Sequence, residues 1–419
     1  MQRLRIALYS HDAMGLGHMR RNLLLANTLR RFPVRADVLL ISGARELNAF
    51  PLPPGVDCVT LPGFRKVWRK HYVPRRLHMD QDVLAHMRGR IIQTALEEFE
   101  PHVLIVDKHP RGLLHELDLA LRSLGGRRCS PRIVLGLRDI LDEPDIVRRE
   151  WMDAGTDEAL REFYDAIWIY GDPAVYNPLE EYGFAPDIAA RVRFSGYLDP
   201  RLRYLTPPRP DSETAAAIAG AESVVLCQMG GGQDGARVAV TFAETCIPDG
   251  SVGVIVTGPF MPTDARDRIR RLAAGRREIR VLDFVSDPES LLQRADRVIT
   301  MGGYNSVCEV ITAGKRTLVV PRIAPRTEQL IRAERMHSLG LIEMLHPSLL
   351  SADALSQWLA TSDGERPVFT RQQIDFSGLE RLPRMVGETM AAPRFGVAAL
   401  VPAGAGATVR DMARTQRNG

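Results

Sequence analysis

The sequence lacks a marked excess of either charge: 55 basic residues against 51 acidic ones leave +4 over 419 residues, with an isoelectric point near 8.9. That balance does not point to a nucleic-acid partner. Lysine is scarce, since only Lys66, Lys70, Lys108 and Lys315 stand among the 55 basic residues, a bias that reads as codon usage. Cysteine is scarce too. Cys58, Cys129, Cys227, Cys246 and Cys308 are isolated and odd in number, without CxxC or Cys-x-His spacing, and read as buried thiols of a reducing compartment. No run approaches the ~18 consecutive apolar residues of a membrane span, and the apolar run at 6–9 is too short for a signal-peptide core. These absences lead us to expect a cytoplasmic protein, with a peripheral membrane contact left open.

What is present is a chain of ordinary globular composition, 45% hydrophobic with mean hydropathy −0.13, long enough for two or three domains with full cores. Short runs rich in Val, Ile and Leu recur, each followed by a segment of helical periodicity, as in βαβ units with parallel sheets. Strands are expected at 4–9, 38–42, 58–61, 103–107, 133–137 and 166–170, then at 223–228, 253–257, 279–284, 297–300 and 317–321. Between the two sets lies LTPPRPD, 205–211, whose prolines suit a linker. The predicted architecture is α/β: two doubly wound Rossmann-like domains, 1–204 and 212–365, facing across a cleft. Residues 366–419 form a C-terminal helix and tail that either returns to the first domain or ends in disorder.

Three glycine loops stand at predicted strand ends. In the second domain, 229–235 reads MGGGQDG, where Gly230, Gly231 and Gly232 permit close backbone approach and Gln233 adds an amide. A strand ending at Thr300 runs into Gly302 and Gly303, and a helix begins near Asn305 and Ser306, leaving N–H groups that suit a phosphate. Glu309 lies one to two turns on, where it could meet two ribose hydroxyls. Each loop alone is more often a plain turn; two in one domain point to a diphosphate. In the first domain, Gly15 and Gly17 turn the chain before His18, a candidate general base at a helix start, where the helix N-terminus is expected to keep it neutral. Asp107 and Asp139 follow first-domain strands and are expected at the cleft edge, as bases or as residues that orient His18. Asp80-Gln81-Asp82 is a formal D-x-D but follows no apolar strand, so no metal site is expected.

The basic run at 64–79 carries six Lys or Arg, among them Arg69, Lys70, Arg75 and Arg76, interleaved with Phe64, Trp68 and Tyr72. A solvated face competes there with a lid over an anionic or lipid-linked acceptor.

GLGH after the first strand, GGGQDGAR, VLDFVSD and GGYNSVCE with TEQLIRAER recur in an order that resembles the MurG-type nucleotide-sugar glycosyltransferases of family 28 with the GT-B fold. The resemblance implies an inverting, metal-independent transfer of sugar from a nucleoside diphosphate, UDP-linked, to an acceptor hydroxyl or similar nucleophile, with no cofactor beyond the donor. It places the base near Phe284 and Val285, the ribose at Glu309, the diphosphate at the two glycine loops, and the sugar hydroxyls at Glu328 and Gln329. His18 falls on the family's histidine, and the first domain would hold a small-molecule, glycan or lipid-linked acceptor. The run GLGHMRRNLLLANTL also resembles flagellin-sugar UDP-hydrolases, in which water replaces the acceptor. A 2-epimerase on the same fold lacks a counterpart of its early Arg-Pro-Glu segment here. A nucleotide-sugar-binding regulator without catalysis is the non-enzymatic alternative.

Overall fold

The computed structural model describes residues 3–12, 17–45, 47, 50, 52–68, 71–125, 130–203, 211–285, 288–361 and 374–394. Gly15, Arg69, Lys70, Cys129, the prolines of 205–210 and the stretch 395–419 lie outside the described residues.

The first sheet contains β1 (Arg5–Ser10), β2 (Asp37–Ser42), β3 (Val56–Thr60), β6 (Val103–Asp107), β7 (Arg132–Arg138), β8 (Ala166–Tyr170) and β9 (Val192–Phe194), all parallel in the order β3-β2-β1-β6-β7-β8-β9. The strands β4 (Phe64–Trp68) and β5 (His71–Pro74) form a separate antiparallel pair. The second sheet is β10 (Ser223–Gln228), β11 (Ser251–Val256), β12 (Ile279–Leu282), β13 (Arg297–Thr300), β14 (Arg316–Val319) and β15 (Glu343–Met344), parallel in the order β12-β11-β10-β13-β14-β15. Central strands such as β6 (VLIVD) and β8 (AIWIY) are buried at every residue because helices cover both faces, which is why they are continuously apolar.

In both sheets the strand order reverses beside the first strand, between β1 and β6 and between β10 and β13. The loops leaving those strands diverge there and open a crevice at the carboxyl ends. Register sets Tyr9 against Val106 and Gln228 against Thr300, so the loops after each pair start at one level.

Buried polar contacts join the two domains. Arg332, on the helix Glu328–Ser338, reaches Asp139 beyond β7 with Nε to Oδ2 at 2.9 Å and Nη2 to Oδ1 at 2.6 Å, both side chains being fully buried. Its Nη1 donates to the Gly302 carbonyl at 2.8 Å, and Tyr197 donates to Asp139 Oδ2 at 3.0 Å. Arg326 pairs with Asp142 and Glu150 at 2.9 and 2.7 Å. The helix Gly378–Ala391 lies against the helix Gly17–Leu29 of the first domain.

Several expectations need correction. The basic run at 64–79 is in large part the β4–β5 hairpin, anchored by Phe64 against Leu84, Ala85 and Leu113, and β9 and β15 are short strands that apolar runs did not announce. The strand expected at 279–284 stops at Leu282, although Thr257 and Gly258 still donate to the carbonyls of Leu282 and Asp283. The thiols are not uniformly buried: Cys227 and Cys308 are, Cys58 is half-buried and Cys246 is exposed. Asp80 caps the helix Gln81–Phe99 by accepting from the Asp82 amide.

Removing one partner of a buried ion pair leaves the other charge uncompensated. Arg332→Met is therefore expected to lower unfolding stability by about 3–5 kcal/mol, whereas replacing both Arg332 and Asp139 by leucine loses much less. Urea unfolding of the two variants checks this; equal losses would show that the pairing is not what matters.

Candidate functional site

The strand-end loops of both sheets line one cleft. On the second-domain side, the loop after β10 carries Gly230 and Gly232 at φ of 58° and 87°. A Cβ on Gly232 would sit 2.1 Å from the Thr257 carbonyl oxygen, so the chain passes where a side chain has no room. Beside it, the helix Tyr304–Thr312 begins at Gly303 without a capping side-chain hydrogen bond, leaving its first amides for a ligand. The two loops meet: a Cβ on Gly230 would lie 3.7 Å from Ser306 Oγ.

Gly231, Gln233, Asn305, Phe284 and Val285 also line this side. Phe284 is 39% exposed, and its ring meets Phe50 of the first domain edge-on at 6.2 Å. Glu309 is buried and accepts from Arg20 across the cleft at 2.6 Å, while Asn305 donates to the Gly17 carbonyl at 3.1 Å. Gly302 is pressed to the Gln329 backbone and does not line the cleft itself.

Glu328 is held by Arg322, with Arg138 at 3.9 Å, and its Oε2 is buried without a partner. Burial opposes its ionisation, but Arg138, Arg322 and Arg332 outweigh that and bring its carboxyl down to about 2. Gln329 Oε1 accepts from the Arg322 amide at 3.2 Å, and Arg322 also pairs with Asp234 at 2.7 Å.

On the first-domain side, His18 stands at the start of the helix Gly17–Leu29 and lines the cleft. Its Nδ1 is 2.7 Å from Asp107 Oδ2, and Arg21 Nη2 donates to both Asp107 oxygens at 2.6 and 2.7 Å. Burial would raise the Asp107 carboxyl, but Arg21 and His18 hold it well below the usual range. An ionised Asp107 only accepts, so Nδ1 carries the proton and Nε2 keeps its lone pair. Burial lowers the His18 pKa from its ordinary value and the Asp107 charge only partly restores it. Burial thus favours the neutral form.

The two aspartates are not at the cleft surface. Asp107 is 2% exposed and acts on His18; Asp139 is fully buried under Arg332 and Tyr197 and is no base. Arg138 lines the cleft instead, since adjacent residues at a strand end point in opposite directions. From the basic run, Tyr72 reaches the cleft, but Arg75 lies over the Phe260 ring and Arg76 is exposed, and neither lines it. Sequence reasoning missed His11, Lys108, His109, Arg138, Arg322 and Arg326, all of which line the cleft. The strand ends at Asp107 and Asp139 were expected, and Asp107 does hold His18, but the adjacent Lys108 and Arg138 that line the cleft were not. Among the described residues, no group of three or more His, Cys, Asp or Glu could hold a metal ion, and no helix is long and apolar enough to cross a membrane.

The folded Glu328 carboxyl titrates below its unfolded value of 4.5, so its stabilisation is complete above that pH and disappears as the pH falls toward 2. Glu328→Gln is expected to remove about 3 kcal/mol at neutral pH and to flatten acid unfolding between pH 4.5 and 2. Denaturant titrations across that range check both effects.

Residues 231–373 match the glycosyltransferase family 28 C-terminal domain. A stretch of 83 residues is 36% identical to the NDP-glycosyltransferase YjiC of Bacillus licheniformis; it spans 20% of this chain and only 20% of that relative. Among solved structures, the calicheamicin glycosyltransferase CalG4 superposes with a TM-score of 0.57 at 18% identity, covering 94% of this chain and 100% of its own. The UDP-GlcNAc 2-epimerase of Methanocaldococcus jannaschii gives 0.58 at 12% identity, covering 92% and 99%. The chain therefore has the GT-B fold of two Rossmann-like domains, and its second domain matches the family 28 C-terminal domain.

Proposed function

We propose that the chain is a glycosyltransferase of the MurG type, moving a sugar from a UDP-linked donor to an acceptor hydroxyl or similar nucleophile, with inversion and without a metal. The observation that carries the reading is a histidine oriented by a buried carboxylate across one cleft from two glycine loops, one of which opens a helix without a side-chain cap. The family 28 match of the second domain and the YjiC similarity agree with a nucleotide-sugar donor on that side.

In this reading the diphosphate lies on the loops at Gly230 to Gln233 and at Gly303 to Ser306, and the base reaches Phe284 and Val285. The ribose hydroxyls reach Glu309, sharing it with Arg20, and the sugar hydroxyls reach Glu328 Oε2 and Gln329. The acceptor oxygen attacks the anomeric carbon from the face opposite the diphosphate. Its proton passes to His18 Nε2, the bond from the anomeric carbon to the phosphate oxygen breaks, and the electron pair leaves with the nucleoside diphosphate. Amides at the start of the helix Tyr304–Thr312 meet the charge that develops on the leaving phosphate. A single displacement inverts the anomeric centre. Asp107 stabilises the imidazolium without taking the proton, a positioning role.

His18→Ala is expected to lower kcat by about 10²–10⁴-fold and to leave UDP affinity within about twofold. Nucleotide release should require an acceptor; release of free sugar at full rate in water alone would select the hydrolase, and UDP binding with no turnover the regulator. Because His18 titrates below its ordinary value of 6.5, kcat/KM should hold level from neutral pH past 6.5 and decline only in more acidic solution. Asp107→Asn removes the charge that favours the imidazolium, so it should move that decline to still lower pH while reducing kcat. A rate profile over pH 4.5–8 for both forms tests the assignment.

A further inference from the structure

Within the cleft, one group of cations draws on both domains. Lys108 directly follows Asp107, the residue that orients His18, and Arg138 ends β7. Arg326 approaches from the second domain, and Tyr72 of the hairpin closes the side. Lys108 is not glycine, yet it holds a left-handed φ of 68°, fixed by its amide donating to the Gly136 carbonyl at 2.8 Å. Its ammonium makes no hydrogen bond or ion pair to the described residues, and the Arg138 Nε is buried without a partner.

The carboxylates nearby are already committed. Glu328 takes Arg322 and lies 3.9 Å from Arg138, and Asp142 and Glu150 take Arg326. Burial, then the neighbouring Arg138 and Arg326, lower the Lys108 ammonium to about 7 against the pull of Glu328 and Glu150. Like charges gathered where water is partly excluded repel until an anion neutralises them. The nucleotide's diphosphate is expected on loops of the second domain, whereas Lys108 and Arg138 belong to the first.

Resting on the reading of the first domain as the acceptor side, we infer that Lys108 and Arg138 form a subsite for a carboxylate or phosphate carried by the acceptor close to its reacting hydroxyl. Arg326 supports the subsite from across the cleft, with its own charge offset by Asp142 and Glu150. The ammonium acts as a compact point charge and the guanidinium as a directional donor, a pair suited to an anionic oxygen group. A neutral polyol would leave the Lys108 ammonium without a counter-ion.

The experiment titrates the full chain, saturated with UDP, with phenyl phosphate, benzoate and benzyl alcohol, using calorimetry or ligand-observed NMR. Phenyl phosphate or benzoate should bind saturably and benzyl alcohol should not. Lys108→Met and Arg138→Met should each weaken the anion by at least about tenfold, Lys108→Arg should restore much of it, and UDP affinity should be unchanged in all. Relief of the charge repulsion should also raise the Tm of ligand-free Lys108→Met, which reports that it folds. A parallel comparison of UDP-glucuronate with UDP-glucose separates the sources: a Lys108→Met loss confined to UDP-glucuronate would move the anion to the donor sugar and overturn the acceptor assignment. Equal binding of benzyl alcohol, unaltered anion affinity in Lys108→Met, or competition between phenyl phosphate and UDP would overturn the subsite itself. If the wild-type chain binds no UDP, the donor reading fails, and the same titrations without UDP still decide whether the cations take an anion.

Discussion

The arrangement of the cleft depends on one buried charge pair, Arg332 with Asp139. Neither side chain is exposed, so both ions have given up their hydration, and their mutual attraction repays that loss only with good geometry and further partners. The partners are present: two guanidinium nitrogens on the carboxylate, a third on the Gly302 carbonyl, and the Tyr197 hydroxyl on Asp139. Burial would lower the Arg332 pKa, yet Asp139 holds it above its ordinary value, so the pair stays ionised. Because Gly302 belongs to a glycine loop of one domain and Asp139 to a strand end of the other, the same guanidinium fixes where the two half-sites face each other.

The helix Gly17–Leu29 translates that registration into chemistry. Its first turn carries three neighbours with different duties: His18 faces the cleft, Arg20 crosses it to Glu309, and Arg21 turns inward to Asp107. Arg21 and Asp107 are each almost fully buried, so the carboxylate that orients the histidine is itself immobilised from the side away from the ligand. Helical geometry permits this because His18 and Arg21, three apart, share a face and converge on Asp107, whereas Arg20, two from His18, lies on another. The order of the base and the position of the interdomain contact at Glu309 are therefore set by one rigid element.

Much of the fold was legible because parallel strands covered on both faces have continuous apolar sequences. The expected bounds of 103–107, 166–170, 223–228 and 297–300 coincide with β6, β8, β10 and β13, the strands of that kind. The β4–β5 hairpin was hidden because its strands are polar-rich and lean on one buried ring, Phe64, and β15 because two residues make no pattern. In the cleft, the glycine loops announced themselves by composition and by their place at strand ends. Asp107 and Asp139 attracted notice as bases or as residues that orient His18, and Asp107 holds His18, but a residue's side of the sheet depends on where the strand stops, and one position separates Arg138 in the cleft from Asp139 beneath it.

The basic cluster was hidden for another reason. Lys108, Arg138 and Arg326 come from three separate segments, two in the first domain and one in the second, and no local window contains them together. Composition also concealed it. Arginine is abundant throughout, and much of that abundance is spent in neutralised pairs such as Arg21 with Asp107, Arg88 with Glu116 and Arg332 with Asp139. A net charge of +4 averages such closed pairs with Lys108, which has no carboxylate partner among the described residues. Lysine differs from arginine in that a protein environment can bring its proton affinity near neutrality, and Lys108, among the described residues the lysine that lines the cleft, has been brought there. A charge so readily given up is a poor structural tie. It is suited to a place where the counter-ion arrives with a ligand, and that is where the chain puts it, one residue beyond the carboxylate that aims the histidine.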